Sequence, residues 1–370
     1  MEKENWYILK NIDELDSPAL IVFPERVKYN IGLAISMVGD VKRLRPHVKT
    51  NKAKEVTELL MEAGINKFKC ATIAEAEMLA QCDAADVLLA YQPLGPKLRR
   101  FVSLIEKYPA TQFSCLTDNR TAANDQSIAF AGNHLSLSVY IDLNVGMNRT
   151  GILPAEAFDL FKYCSTLKGL TVAGLHVYDG HLRDVDLELR KQRCDEAFNE
   201  IAKLKELFEK NSRKTTTIIA GGSPTFPIHA VRQNVECSPG TFVYWDKGYS
   251  DQCPEQKFLP AAVLITRVIS LPNSNHICLD LGHKSVAAEN EISKRVFFLN
   301  APGLKAISQS EEHLVVETAQ EHSYKPGDVL YGLPFHICPT VALYERVHTV
   351  EEGIITGEWR NVARDRVITI

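Results

Sequence analysis

Apolar and β-branched runs of strand length recur along the first two thirds of the chain. They lie at Lys42–Val48, Lys67–Ala71, Asp86–Ala90, Gln112–Leu116, Leu135–Leu143, Thr171–Val177 and Thr215–Ala220. Between them the apolar positions change to helical spacing, at Ala53–Ala63, Ile73–Gln81, Lys97–Lys107, Arg120–Phe130, Ala155–Ser165 and Leu187–Lys210. In the last of these Leu189, Cys194, Phe198, Ile201, Leu204 and Leu207–Phe208 fall along one stripe. Strands alternating with helices of this length predict a parallel sheet covered by helices. A further short run at Val235–Cys237 brings the strand count to eight. The pattern therefore predicts a (β/α)8 TIM-type barrel, with a doubly wound sheet as the alternative. An early run, Ala19–Phe23, would spoil the count and is assigned outside the barrel.

After about residue 255 the pattern changes. Ala261–Ser270, His276–Leu281, Val296–Asn300, His313–Thr318, Val329–Tyr331, Thr340–Val350, Gly353–Trp359 and Val367–Ile370 read as strands. Pro-Asn, Pro-Gly, Lys-Pro-Gly-Asp and Glu-Glu-Gly turns separate them, with no long amphipathic helix between. This predicts a second, C-terminal all-β domain, a small barrel or sandwich. The expected division is 24–255 for the barrel and 256–370 plus 1–23 for the β domain.

Composition narrows the class without giving a function. A net charge of -4 offers no electrostatic reason to expect nucleic acid or an anionic membrane. No apolar run approaches the roughly 20 residues of a membrane span, and the first residues lack a signal-peptide pattern. The 9 cysteines are scattered, odd in number and without a Cys-x-x-Cys pair. That is the usage of free thiols in a reducing cytoplasm.

Chemistry in a barrel sits at the C-terminal ends of its strands. The first strand stops on Lys49, in Arg45-Pro-His-Val-Lys49-Thr-Asn-Lys52. A lysine held there and partly desolvated can form a Schiff base with an aldehyde. Gly221-Gly222-Ser223-Pro-Thr225 follows the seventh strand and Ser238-Pro-Gly240-Thr241 the eighth. Glycine- and hydroxyl-rich turns at those two places make a phosphate site. Lysine and phosphate cradle together suggest pyridoxal 5′-phosphate, an aldehyde that carries a phosphate.

The blocks RPHVKTNK, KCATIAEAEMLA, NVGMNRTG, GLHVYDGH, GGSPTFP, ECSPGTFVYWD, LDLGHK, SEEHL and HICP, in that order, resemble the D-threonine aldolase and D-serine dehydratase family. This is a family of fold-type III pyridoxal-phosphate enzymes with an alanine racemase-like N-terminal barrel, and the likeness spans nearly the whole chain. It implies that Lys49, rather than Lys52, carries the cofactor. It also implies Arg149 near the phenolic oxygen, His176 against the ring and Tyr178 near the pyridine nitrogen. Gly221, Gly222, Ser223, Gly240 and Thr241 would hold the phosphate. Asn51 stands where the family often has histidine.

His336-Ile-Cys338-Pro carries a second expectation. In an extended segment residues i and i+2 point to one side, so an imidazole and a thiolate could grip one ion. The resemblance places a divalent metal here. A thiolate favours zinc on softness grounds, while manganese or magnesium suits members with aspartate at this position. The substrate implied is a D-3-hydroxy amino acid, and the assembly a homodimer. The first reaction expected is retro-aldol cleavage to glycine and an aldehyde. The alternatives are β-elimination to a 2-oxo acid and ammonia, or racemisation.

Overall fold

The structure is a computed structural model that describes residues 5–319 and 321–370. The chain forms two compact units. Unit one takes the chain up to Ile31, Thr50–Glu55 and Thr241–Val362; unit two takes Gly32–Lys49, Val56–Gly240 and Ala363–Ile370.

Unit two is built on a seven-stranded parallel sheet in simple sequential order. Its strands are Lys67–Cys70, Asp86–Leu89, Gln112–Thr117, Leu137–Leu143, Leu170–Val177, Thr217–Ala220 and Val235–Cys237. Helices follow the first six, the longest being Leu187–Ser212. The strand predicted over Lys42–Val48 is corrected. Val41–Arg43 is a 3-10 turn capped by the Asp40 carboxylate, and Pro46 has no N–H to give a ladder. Only Leu44 and His47 form bridges, to Cys237 and Lys69. The Arg45 amide donates to Cys237 O and the Val48 amide to Lys69 O, each at 2.9 Å. An extended segment thus joins the last strand of the sheet to the first, in the eighth strand's place.

Alternation along these strands sorts the interior into layers. Leu88, Leu116, Tyr140 and Ile219 form an apolar cluster on the inner face. Arg45, 1% exposed, holds a polar layer. It makes a bidentate pair with Asp86 at 2.7 and 2.8 Å and donates to Glu236 at 2.7 Å. Its charge is desolvated but fully paired, the condition under which buried ions persist.

Unit one carries a nine-stranded, largely antiparallel sheet. Its main path runs Lys305–Gln309, Leu314–Glu317, His276–Leu279, Ala262–Ser270, Ala19–Val22, Arg346–Glu351, Ile354–Arg360; Val329–Pro334 and Val296–Phe298 branch from it. Ala19–Val22 runs antiparallel to Ala262–Ser270 and parallel to Arg346–Glu351. Leu9, Ile21, Phe23, Val263, Ile265, Tyr331 and Val350 pack as its core.

Four sequence expectations change here. Lys305–Gln309 is a strand, and Pro24–Val38 a helix, that the pattern did not show. The strand expected over Thr340–Val350 begins at Arg346, because Ile337–Val341 is a single helical turn with Pro339 inside its first turn. Val367–Ile370 forms no strand; the Thr369 and Ile370 amides donate to the buried Glu77 carboxylate of unit two instead. Among the described residues no helix is long and apolar enough to cross a membrane.

Candidate active site

In unit two the strand ends surround a cavity of about 570 Å³ lined by His47, Lys49, Lys69, Asp142, Arg149, Thr150, His176 and Tyr178, among others. Strand register makes this convergence. Asp142 and His176 are paired positions on adjacent strands, so their side chains rise on one face. His176 Nδ1 lies 2.7 Å from Asp142 Oδ1, and both residues are buried. Burial lowers the His176 pKa below its ordinary value against the pull of Asp142. Burial works to raise the Asp142 pKa, but His176, Thr150 and Arg149 outweigh it and hold that carboxyl low. The pair is therefore a neutral imidazole giving its Nδ1 proton to a carboxylate, which fixes the ring's orientation.

Tyr178 is the centre around which the cations gather. Arg149 Cζ lies 5.0 Å, Lys69 Nζ 5.6 Å and Lys49 Nζ 6.0 Å from its ring centroid. Lys49 sits in the turn after Val48 and its amide donates to His47 Nδ1 at 3.3 Å. Lys52 adopts a left-handed backbone (φ 55°) two positions before the helix Lys54–Glu62.

The glycine turn lies beside the same tyrosine. A Cβ at Gly222 would stand 3.1 Å from Tyr178 Cε2, and Gly221 has φ +79°, so this backbone path is closed to larger residues. The Gly221 amide already donates to Val177 O at 2.9 Å. Gly221 thus shapes the turn through its positive φ. Gly240 is buried, as are Ser223 and, at the start of a 3-10 turn in unit one, Thr241.

A buried network unseen in the sequence pins this turn. Asp179 accepts from the Thr225 hydroxyl at 2.6 Å and from His229 Nε2 at 2.7 Å. Arg232 donates to His229 Nδ1 at 2.6 Å, and Cys194 Sγ lies 3.5 Å from His229 Nε2. Asp179, Cys194 and His229 are close enough together to hold a metal ion. Hydrogen bonds already engage the group: the Arg232 guanidinium reaches both His229 and Cys194, and burial pushes the Cys194 thiol up to about 12.

In unit one His336 and Cys338 are brought together, though not in the way their spacing suggested. His336 is extended (φ -138°, ψ 98°) and caps the turn Ile337–Val341, so Cys338 projects from a helical turn rather than a strand. His336 Nδ1 is bound by Glu289. Cys338 Sγ lies 3.1 Å from Thr50 Oγ1 and 3.6 Å from Thr241 Oγ1. Asp246, fully buried, accepts from the Ile337 and Tyr249 amides at 3.0 and 2.9 Å. Burial lifts the Asp246 carboxyl to about 6. Burial would lower the His336 pKa, yet Cys338, Glu289 and Asp246 together raise it to about 9.

These donors fit a divalent cation. Thiolate and imidazole are zinc's ligands, a carboxylate on the far imidazole nitrogen is the usual outer partner, and the surplus negative charge wants a cation. We expect Glu289→Gln to weaken divalent-metal affinity roughly 10- to 100-fold while leaving the fold intact. Equilibrium dialysis against zinc or manganese measures this; an unchanged affinity excludes Glu289 from the metal's support.

Comparison with known proteins now places the molecule. Residues 23–247 match the family model of the alanine racemase N-terminal domain, and residues 261–350 match that of a D-serine dehydratase-like domain. A D-threonine aldolase from Arthrobacter sp is 25% identical over 328 residues, covering 87% of this chain and 85% of that protein. The crystal structure of D-threonine aldolase from Filomicrobium marinum superposes with a TM-score of 0.88 at 24% identity, over 96% of this chain and 97% of that one. D-threo-3-hydroxyaspartate dehydratase from Delftia sp. HT23 gives 0.78 at 19% identity, over 94% and 97%. The chain belongs to the alanine racemase N-terminal domain family of fold-type III pyridoxal-phosphate enzymes, in the branch that adds a D-serine dehydratase-like domain and whose curated relatives are lyases.

Proposed function

We propose that this protein is a pyridoxal-phosphate- and divalent-metal-dependent lyase that cleaves D-3-hydroxy amino acids by retro-aldol reaction, giving glycine and an aldehyde. The observation that carries the reading is the meeting of Lys49, Arg149, His176 and Tyr178 around one cavity beside a glycine turn. A phosphate-bearing aldehyde fits that set: an amine to bond it, a cation and a phenol beside the ring's place, and a turn that only glycine can form.

When bound, the cofactor supplies an electron sink for negative charge at Cα, and the metal lowers the pKa of a hydroxyl it touches. Lys49 would hold the cofactor through its amine, and the same amine would carry a proton to or from Cα. His176, fixed by Asp142, presents an apolar ring face with a steady neutral charge. Arg149 balances negative charge at the cavity mouth, where it is exposed. His336 and Cys338 would hold the metal ion. In the aldol direction the hydroxyl proton leaves, the Cα–Cβ bond breaks, the aldehyde departs and Cα regains a proton.

A second reading rests on Cys338. Solved structures of D-threo-3-hydroxyaspartate dehydratase include alanine variants of a histidine and of a cysteine two positions apart, the latter described as metal-free. His336 and Cys338 have that spacing. In this reading Lys49 takes the Cα proton and hydroxide leaves Cβ, yielding a 2-oxo acid and ammonia.

The test is product analysis after incubation with D-threonine, D-serine and D-threo-3-hydroxyaspartate, with and without chelator. Glycine and acetaldehyde from D-threonine are expected, and chelator should stop their release. A 2-oxo acid with ammonia selects the dehydratase. Inverted amino acid with no other product turns the reading to a racemase.

A further inference from the structure

Lys69 is an unexpected occupant of the cavity in unit two. It is the third residue of the strand Lys67–Cys70, in a position whose neighbours Phe68 and Cys70 are buried apolar side chains. Lysine is 2% exposed there, yet it lines the same cavity as Lys49. A fully desolvated ammonium needs an anion or must lose its proton. The two carboxylates that act on it are occupied: Asp142 by His176, and Asp179 by His229 and Thr225. Its Nζ donates instead to the hydroxyl of Ser238, the first residue of the turn Ser238-Pro-Gly240. Ser238 Oγ in turn donates to Gly221 O at 3.0 Å, in the glycine turn after the preceding strand. One amine is therefore tied to both turns.

We infer that Lys69 is an oxyanion-binding residue, whose ammonium completes the phosphate cradle formed by the Gly221–Ser223 and Ser238–Gly240 turns. The inference rests on the reading of the cavity as a pyridoxal-phosphate site and adds a charged partner to backbone turns that carry none. The protonation of the amine agrees with it. Burial, and then the charge of Lys49, pull the Lys69 ammonium down to about 7 when no anion is present. A phosphate dianion seated on the turns restores the missing counter-charge and draws the proton back. Asp142 and Asp179 favour the charged form, while Arg45 and Lys49 oppose it. Of the other cations, Arg149 is exposed, with its Cζ 5.0 Å from the Tyr178 ring centroid, and Arg45 is engaged by Asp86 and Glu236.

The experiment compares three ligands on the cofactor-free full chain: pyridoxal 5′-phosphate, pyridoxal without its phosphate, and inorganic phosphate. Lys69→Met keeps the aliphatic volume and removes the charge. It should cost roughly 10- to 100-fold in affinity for pyridoxal phosphate and for inorganic phosphate, the range of a charge-assisted hydrogen bond, and leave pyridoxal unaffected. Thermal melting confirms the variant is folded. In the wild type, 13C-dimethylation followed by NMR should show the Lys69 signal titrating near pH 7 and moving to higher pH with inorganic phosphate. Equal losses for pyridoxal phosphate and pyridoxal, no loss for either, or a Lys69 signal blind to phosphate overturns the inference and leaves the cofactor assignment standing. A wild-type chain that binds no pyridoxal phosphate overturns the cofactor assignment itself, and the inorganic phosphate data still decide the part played by Lys69.

Discussion

Replacing Lys49 with alanine should lower turnover of D-3-hydroxy amino acids by at least about 10³-fold, because covalent attachment and proton transfer at Cα are lost together. The side chain is only partly buried, in a turn rather than a packed strand, so the folded state should lose little stability. Borohydride reduction of the wild type, followed by digestion and peptide mapping, should place the pyridoxyl group on Lys49. Two rivals make the mapping decisive. Lys52 stands three residues on, in a left-handed backbone position before the helix, and is not among the cavity's lining residues. Lys69 is the stronger rival, since it lines the cavity and its amine loses its proton near neutrality. A pyridoxyl group on Lys69 would transfer the covalent role to the second strand and overturn both assignments made for these lysines. Retained turnover in Lys49→Ala would do the same.

The contrast between these lysines shows what the sequence could disclose. Lys49 was legible because it ends an extended run and precedes turn residues, a local signal. Lys69 lies inside a strand, in Lys67-Phe-Lys-Cys70, where alternation puts Lys67 and Lys69 on the inward side. That parity was the available clue. Its meaning depends on which strands curl to meet it, and the bond to Ser238 spans 169 positions of chain. The helices and strands of unit two were readable for a similar reason: burial on both sides of a parallel sheet writes continuous apolar runs. The first strand was overdrawn because Pro46 interrupts the ladder while the surrounding apolar residues still look like strand.

In unit one the expectation at His336 and Cys338 rested on the family resemblance, and the extended-segment geometry offered beside it does not hold, since a helical turn begins between the two residues. Glu289 and Asp246 were invisible beforehand. Glu289 lies 47 positions from His336 and Asp246 lies 91 from Ile337, with no periodicity linking either pair. Long-range electrostatics of this kind leaves no local mark on a sequence.

That electrostatic surrounding leads to the remaining large effect. Stripping the divalent metal with chelator, or replacing Cys338 with alanine, should reduce carbon–carbon cleavage on the order of 10³-fold, the several kcal/mol a Lewis acid contributes to a developing alkoxide. The fold should survive both treatments. Cys338 is not part of unit one's core cluster, and the turn that carries it is held by the Asp246 carboxylate on the Ile337 amide and by Thr340 on His336 O at 2.8 Å. Neither bond needs an ion. Two protein ligands also leave open positions, which a catalytic site requires and a closed structural site lacks. Metal content, the visible absorbance of the cofactor and turnover should be followed together in Cys338→Ala and in chelated wild type. Metal and turnover should fall in step while the absorbance and the melting temperature hold, and Cys338→Asp should recover part of the activity with manganese, since a carboxylate suits that harder ion. Full activity in metal-free protein would remove the ion from the reaction. A collapse of the fold on chelation would make it structural, and the hydroxyl would then need another activating group, such as His176, which Asp142 fixes in the cavity.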